Sequence, residues 1–372
     1  MLCITNPWEG IYVKHRIKFL IGIYVAALLL GMITGCTEEK CVVCPPDQPP
    51  AEKEYYFLYS YGFSNWVYTY STKTGEIVDS VKYPSYPFAD VRFSKDGKYA
   101  YYVGGSIWIA DFATGDTVAI TEGTLSSGAW LSLSSDGRHL LLSGTTKLTL
   151  FEIPSLAIVY QREYEKGWAD GTIHPFKDIA YVGSNALDSL LIIDFRTSTI
   201  HDSTVPLFWG DGTPTAALSV AVTKDGKSMI LTGGGRVQLR DAETFQLLRE
   251  YYPGRNTAYL HPDGERVFFL RDKDFTIGQP AEVWELNLRT LLMTRVLRGE
   301  DFIAYLNYFA LTPTDMDFTP DGKYAFIISG VAGQEFGAGT ILKLDCDTYR
   351  IVDAIYPSLG ISSLIRINPR EI

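Results

Sequence analysis

Short runs of β-branched and aromatic residues alternate with polar turns from Tyr55 to the C terminus, and one turn phrase recurs in phase. An apolar residue stands three positions before Asp-Gly in Phe93-Ser94-Lys95-Asp96-Gly97, Leu133-Ser134-Ser135-Asp136-Gly137 and Val222-Thr223-Lys224-Asp225-Gly226. The same holds for Leu260-His261-Pro262-Asp263-Gly264 and Phe318-Thr319-Pro320-Asp321-Gly322. Ile173-His174-Pro175-Phe176 and Ile367-Asn368-Pro369-Arg370 keep the phase without the Asp-Gly. A fixed period of this kind predicts one supersecondary unit repeated, each copy needing its neighbours to bury its faces.

The residues between the phrases predict what the unit is. After Gly97 come Lys98–Val103, a Gly104-Gly105 turn, Ser106–Asp111, a turn through Thr114-Gly115 and Asp116–Ile120. Together with the segment before the Asp-Gly this makes four short antiparallel strands joined by tight turns. Asp-Gly suits the first hairpin, because Gly tolerates positive φ and Asp bonds its own backbone two residues on. A second marker keeps the same register. A short polar residue is followed three places later by Thr at Ser71/Thr74, Asp111/Thr114, Asp194/Thr197, Asp241/Thr244, Asn287/Thr290 and Asp345/Thr348. The copy after Leu133 is expected to depart, with Ile153 and Leu156 there.

The ends complete the count. Residues 55 to 83 hold three strands with no inner strand before them, and residues 361 to 367 hold an inner strand with nothing after it. Joining them predicts an all-β, seven-bladed propeller of four-stranded antiparallel blades, closed by pairing of the N- and C-terminal strands. The run Phe318 to Phe326, then Leu342-Lys343-Leu344-Asp345 and Arg350-Ile351-Val352, resembles the blade pattern of YVTN-type seven-bladed propellers. That resemblance covers residues 55 to 369 and speaks for the fold, since propellers host hydrolases, binders and assembly factors alike.

The first 54 residues change the picture of where such a body sits. Lys14, Arg16 and Lys18 flank an apolar run from Phe19 to Ile33. Ile33-Thr34-Gly35-Cys36 resembles a bacterial lipobox, which implies a signal peptide over 1–35 and lipidation of Cys36. Residues 36–54, with Pro45, Pro46, Pro49 and Pro50, read as an extended tether, and 55–372 as the propeller. The expected address is the bacterial cell envelope, membrane-attached through Cys36, periplasmic or surface-exposed, with Thr37 favouring the outer membrane. Cys41 and Cys44 lack the context of a redox or zinc motif. Net charge of −10 argues against nucleic acid.

Candidate chemistry gathers in two places. Aligning the inner strands puts Asp90, Arg92, Asp170, Asp315, Asp317 and Arg366 on one face towards the channel, because strand side chains alternate. They form either a structural ion-pair network or a site for an anionic or polar ligand. The connections between blades make the entrance face and carry aromatics, among them Trp66, Trp168, Trp209, Tyr305 and Tyr308. Aromatics with polar tips are enriched at recognition surfaces.

No nucleophile elbow, metal-ligand spacing or phosphate loop is present, so no catalytic residue, metal or cofactor is expected. His174 and His261 share one repeat position beside the turn face, and Cys346 reads as packing. The expectation is a monomeric binding module for an envelope protein, peptide or glycan at the entrance. The alternatives are a lactonase-type hydrolase acting at the channel and a structural factor in envelope assembly.

Overall fold

Each repeat folds as one four-stranded sheet whose strands lie in chain order, and there are seven such sheets. The computed structural model describes residues 53–371, apart from 62–65, 84–88, 122–129, 145, 164–167, 185–188, 197–199, 214–218, 254–256, 272–280, 304–311, 331–339 and 358–361. Cys36, the tether, Cys41 and Cys44 lie outside the described residues.

Blade 1 is the composite one. Its inner strand, Ser362–Ile367, pairs antiparallel with Tyr56–Tyr61, placing Phe57 opposite Ile367 and Leu58 opposite Arg366. Trp66–Ser71 and Ile77–Lys82 complete it. The remaining inner strands are Asp90–Phe93, Trp130–Leu133, Trp168–Ile173, Ser219–Val222, Ala258–Leu260 and Thr312–Phe318, for blades 2 to 7 in order. Closure by strand pairing between the chain ends leaves no blade at the end of an open array.

Strand position within a blade decides its composition. The second and third strands are covered on both faces, so they read as near-continuous apolar runs, such as Tyr-Ala-Tyr-Tyr-Val at 99–103 and Ile-Trp-Ile-Ala-Asp at 107–111. The outermost strands face solvent and lose that character, as in Ile77–Lys82 and His201–Pro206.

The core divides in the same way. Seven apolar clusters each lie between adjacent blades, for example Tyr101, Val103 and Ile109 of blade 2 against Leu131, Leu140 and Leu142 of blade 3. Each fully buried aliphatic or aromatic side chain there contributes about 1.5–3 kcal/mol. Stability therefore resides between blades rather than within any one of them.

Both turn markers are backbone devices. The glycines of all five Asp-Gly turns have positive φ, +68° at Gly97 and +72° at Gly322 among them. In the other turn the Asp carboxylate caps the loop, as when Thr114 N and Thr348 N donate to Asp111 and Asp345. The fifth position of that turn is left-handed even where it is not Gly, at Leu156, Phe245, Leu291 and Tyr349. Leu156 corrects the reading of blade 3. Its N–H donates to Glu152 O at 2.8 Å, and Ser155 Oγ also bonds Glu152 O. Glu152 and Ser155, not Ile153 and Leu156, thus occupy the Asp and Thr positions. A carboxylate one methylene longer, and Ser for Thr, hide the register from a pattern of Asp and Thr.

Candidate functional site

The free edge of every inner strand faces the channel, and in several blades the neighbouring blade's channel residue satisfies it. Counting back from the phase residue, the third residue before it in one blade bonds the backbone of the next. Asp90 of blade 2 accepts from Leu131 N of blade 3 at 3.1 Å, and Asp315 of blade 7 accepts from Ile365 N of blade 1 at 2.9 Å. The residue one before the phase does the same one step further down. Ser132 accepts from Ile173 N at 3.2 Å, and Asp317 accepts from Ile367 N at 2.7 Å. One geometric rule, applied at two heights, stitches blade to blade.

The charges are held within that stitching. Arg366 sits between blades 7 and 2: its Nη1 binds Asp315, and its Nη2 lies 3.2 Å from Asp90 Oδ1. Arg92 Nη2 stands 3.5 Å from the other Asp90 oxygen, while Arg92 Nε donates to Leu131 O at 3.1 Å. Burial opposes the Arg366 charge, but Asp315, Asp90 and Asp317 outweigh it and hold the guanidinium protonated. Burial also raises the Asp317 carboxyl, with Arg366 and two backbone N–H groups pulling the other way. Asp170 is pushed up to about 6 by burial, against the pull of Arg92 and the Ser219 hydroxyl that donates to it at 3.0 Å. All six sequence-predicted channel residues are therefore on the axis, and every one of them interacts with a neighbouring blade.

The entrance rim is built where outer strands end and inner or third strands begin. Among the described residues six aromatics are exposed, and five lie at this end: Trp66, Trp130, Phe208, Tyr252 and Tyr356. Trp66 is 39 % exposed at the start of its strand. Trp168 opens the inner strand of blade 4, opposite Ser184. Trp209 is placed differently, at 8 % exposure. The Arg236 guanidinium lies over its ring at 5.3 Å and over the Tyr252 ring at the same distance. Asp211 at 2.9 Å and Glu250 at 3.4 Å neutralise Arg236, and the Tyr252 hydroxyl donates to Glu250 at 2.6 Å. Hydrogen bonding from Arg236 holds the Asp211 carboxyl well below the usual range. Tyr305 and Tyr308 lie outside the described residues.

Tyr356 and Trp130 escaped the sequence reading of the rim. Tyr356 follows the last outer strand, whose length is needed to place it. Trp130 occupies a strand position that in blades 2, 4 and 7 carries a channel Asp, which hides its place on the rim.

The turn face behaves as structure. His174 Nδ1 accepts from Phe176 N and Lys177 N, so its Nε2 carries the proton and donates to Gly226 O at 3.0 Å. His261 spans from blade 6 to Gly322 O of blade 7 in the same way, at 2.7 Å. Cys346 is fully buried, and burial pushes its thiol up to about 12, which makes it inert packing. Among the described residues no group of three His, Cys, Asp or Glu is placed to share a metal ion.

Similarity to known proteins is confined to this architecture. No family model matches the chain, and no curated protein matches it. A functionally unknown protein from Desulfotomaculum acetoxidans superposes with a TM-score of 0.66 at 13 % identity, covering 85 % of this chain and 99 % of that one. The Cps50 (Swd1) β-propeller domain of Myceliophteria thermophila gives 0.58 at 14 %, over 71 % and 85 % of the two chains. Dihydro-heme d1 dehydrogenase NirN gives 0.57 at 14 %, over 87 % and 78 %. Identities this low carry the fold alone: the chain is a seven-bladed β-propeller, and these neighbours span unlike functions.

Proposed function

We propose that this chain is a lipid-anchored cell-envelope propeller that acts as an interaction module, receiving a protein, peptide or glycan on its entrance face. The observation carrying this reading is a division of labour. Exposed aromatics collect at the entrance, whereas the charged groups of the channel are committed to bonds between blades. Exposed aromatic side chains offer large contact area at low entropic cost. A hydrolase using Arg92, Arg366 and the channel aspartates would have to release them from the contacts that join the blades, at several kcal/mol for each buried charge. The basic flank, apolar run and Cys36 motif support attachment to a membrane, with the Pro-rich segment holding the body away from it.

One experiment tests both halves. The full chain is expressed in its native host, crosslinked in intact cells and fractionated, beside Cys36→Ala and a Trp66→Ser/Phe208→Ser/Tyr252→Ser variant. The expected outcome is loss of membrane association in Cys36→Ala. In the rim variant, crosslinked adducts fall about tenfold at unchanged membrane association and melting temperature. Undiminished adducts from the rim variant would refute the entrance face as the docking surface.

A further inference from the structure

On blade 5 two rim aromatics are mounted on a buried polar scaffold. The connection that follows the outer strand of blade 4, residues 207–213, is clamped to the third and outer strands of blade 5, Arg236–Asp241 and Leu247–Tyr251. Gly210 N donates to Glu250 Oε2 at 2.6 Å, and Phe208 O accepts from Gln238 Nε2 and Arg240 Nη2, both at 2.8 Å. Gln238 is fully buried and also donates to Glu250 Oε2, at 3.0 Å. Buried Trp209 backs the Arg236 guanidinium. These contacts suffice to hold the connection. The side chains of Tyr252 and Phe208 add little to it, since the two residues are 67 % and 48 % exposed. Tyr252 is nevertheless fixed, with Arg236 over its ring and its hydroxyl donating to Glu250. A ring already immobilised loses little side-chain entropy when a ligand covers it.

The charges of the scaffold cancel. Among the described residues, Arg236 pairs with Asp211 and Glu250, and Arg240 reaches the same Glu250 through Gln238, whose Oε1 accepts from Arg240 Nε at 2.8 Å. Two guanidinium groups thus stand against two carboxylates. Burial opposes the Glu250 charge, but hydrogen bonds from Tyr252, Gln238 and Gly210 outweigh it. An arriving cation would meet Arg236 across the Tyr252 ring, and an arriving anion would meet Asp211, whose side chain is 46 % exposed. The Asp211 carboxylate and the Tyr252 oxygen, whose own proton goes to Glu250, remain hydrogen-bond acceptors. The complement of such a surface is an uncharged partner with hydroxyl donors around an apolar face.

We propose that Tyr252 and Phe208 form a stacking platform for an uncharged glycan, seating the C–H face of a sugar ring and accepting from its hydroxyls. The assignment rests on the entrance face being a docking surface, and narrows its occupant from protein, peptide or glycan to the last. A pyranose ring carries what the platform selects: C–H bonds on its face, hydroxyl donors at its edge and no charge. Both available oxygens serve donors, which suits a hydroxyl-rich edge better than a peptide backbone that alternates donors with acceptors.

Calorimetric titration of the full chain tests it, with β-1,4-linked hexamers that differ in charge. The neutral probes are the hexamers of glucose, mannose and N-acetylglucosamine. Glucosamine hexamer, at a pH where its amines are protonated, is the cation, and mannuronate hexamer the anion. The peptide acetyl-Gly-Phe-Ser-Gly-amide stands for a polypeptide. Saturable binding is expected for a neutral hexamer, with both charged hexamers at least about tenfold weaker. Tyr252→Ala and Phe208→Ala should each weaken it about tenfold. Tyr252→Phe, which keeps the ring and frees it from Glu250, should weaken it about threefold. All three leave the buried clamp in place, so melting temperatures should not move. No saturation by any neutral hexamer up to ~10 mM, tighter binding of the peptide or of either charged hexamer, or full affinity in Tyr252→Ala would overturn the proposal. Crosslinking of the triple rim variant reads the docking surface without reference to the ligand. Adducts that fall in that variant while no neutral hexamer binds would overturn the glycan and leave the entrance face standing.

Discussion

The axis of this ring is joined by charge on one side and by hydroxyl groups on the other. Where blades 7, 1 and 2 meet, the stitch positions carry Asp315, Asp317, Arg366, Asp90 and Arg92. Where blades 3, 4 and 5 meet, Ser132 and Ser219 take the equivalent places, with Asp170 the single charge among the bonds between them. In blades 3, 4 and 5 the four strands of each sheet are consecutive in the chain. Blade 1 is assembled from the two ends of the chain, so its inner strand, which continues from blade 7, is joined to the other strands of its own sheet by noncovalent contacts alone. Charge-assisted bonds are roughly twice as strong as neutral ones. The difference teaches that the charge-assisted bonds flank the one blade whose four strands are not consecutive in the chain.

The sharpest break in that comparison is Arg366→Leu. Arg366 is 9 % exposed, and its removal leaves Asp315, Asp317 and Asp90 with backbone donors but without their shared cation. Losing one partner of a buried charge cluster costs about 3–5 kcal/mol. Denaturant unfolding should show that loss at an unchanged slope. Adding Asp315→Leu should restore about half of it, because the uncompensated charge rather than the lost contact carries most of the penalty. A single variant as stable as the parent would mean that closure rests on the apolar contacts of blade 1.

Asp170→Asn sharpens the same comparison with the opposite sign. The folded Asp170 carboxyl titrates at about 6, above its ordinary value of 3.8. Between those values the folded state binds more protons than the unfolded state, so this group's contribution to stability is lost as pH rises through about 6. Asparagine holds the neutral form at every pH and still accepts from Ser219. The variant should be more stable than the parent by on the order of 1–3 kcal/mol at pH 7.5, and equal to it below pH 4. Thermal melts across that range read the crossover directly. A variant that is less stable at both ends would show that the Arg92 attraction outweighs the cost of burial.

Much of this architecture was legible in the sequence because it is written twice. The Asp-Gly phase and the Asp-to-Thr turn are both demands of the backbone, and both recur at fixed offsets, so blade number, strand order and closure follow from counting. The channel residues were legible for the same reason: strand alternation puts Asp315 and Asp317 on one face whatever their role. Their partners were not. That Asp90 bonds Leu131 N depends on the distance between two inner strands 41 positions apart, which no local pattern encodes. Trp209 misled in a related way. An aromatic in an entrance loop is exposed only if nothing folds over it, and Arg236 comes from a strand 27 positions later.

Ser132→Ala is the mildest break and the most discriminating. It removes the hydroxyl that accepts from Ile173 N and leaves the strand, its packing and the chain connection between blades 3 and 4 intact. The expected cost is about 1 kcal/mol, the net worth of a neutral hydrogen bond, read as a small shift in the denaturation midpoint. Hydrogen exchange separates this from a diffuse effect. The Ile173 amide should lose protection on its own, while amides of the blade 1 closure stay as slow as in the parent, since local opening draws on local contacts. Were Ser132→Ala to cost as much as Arg366→Leu, charge would add nothing to the stitches around blade 1, and both sides of the axis would have to be treated as one cooperative seam.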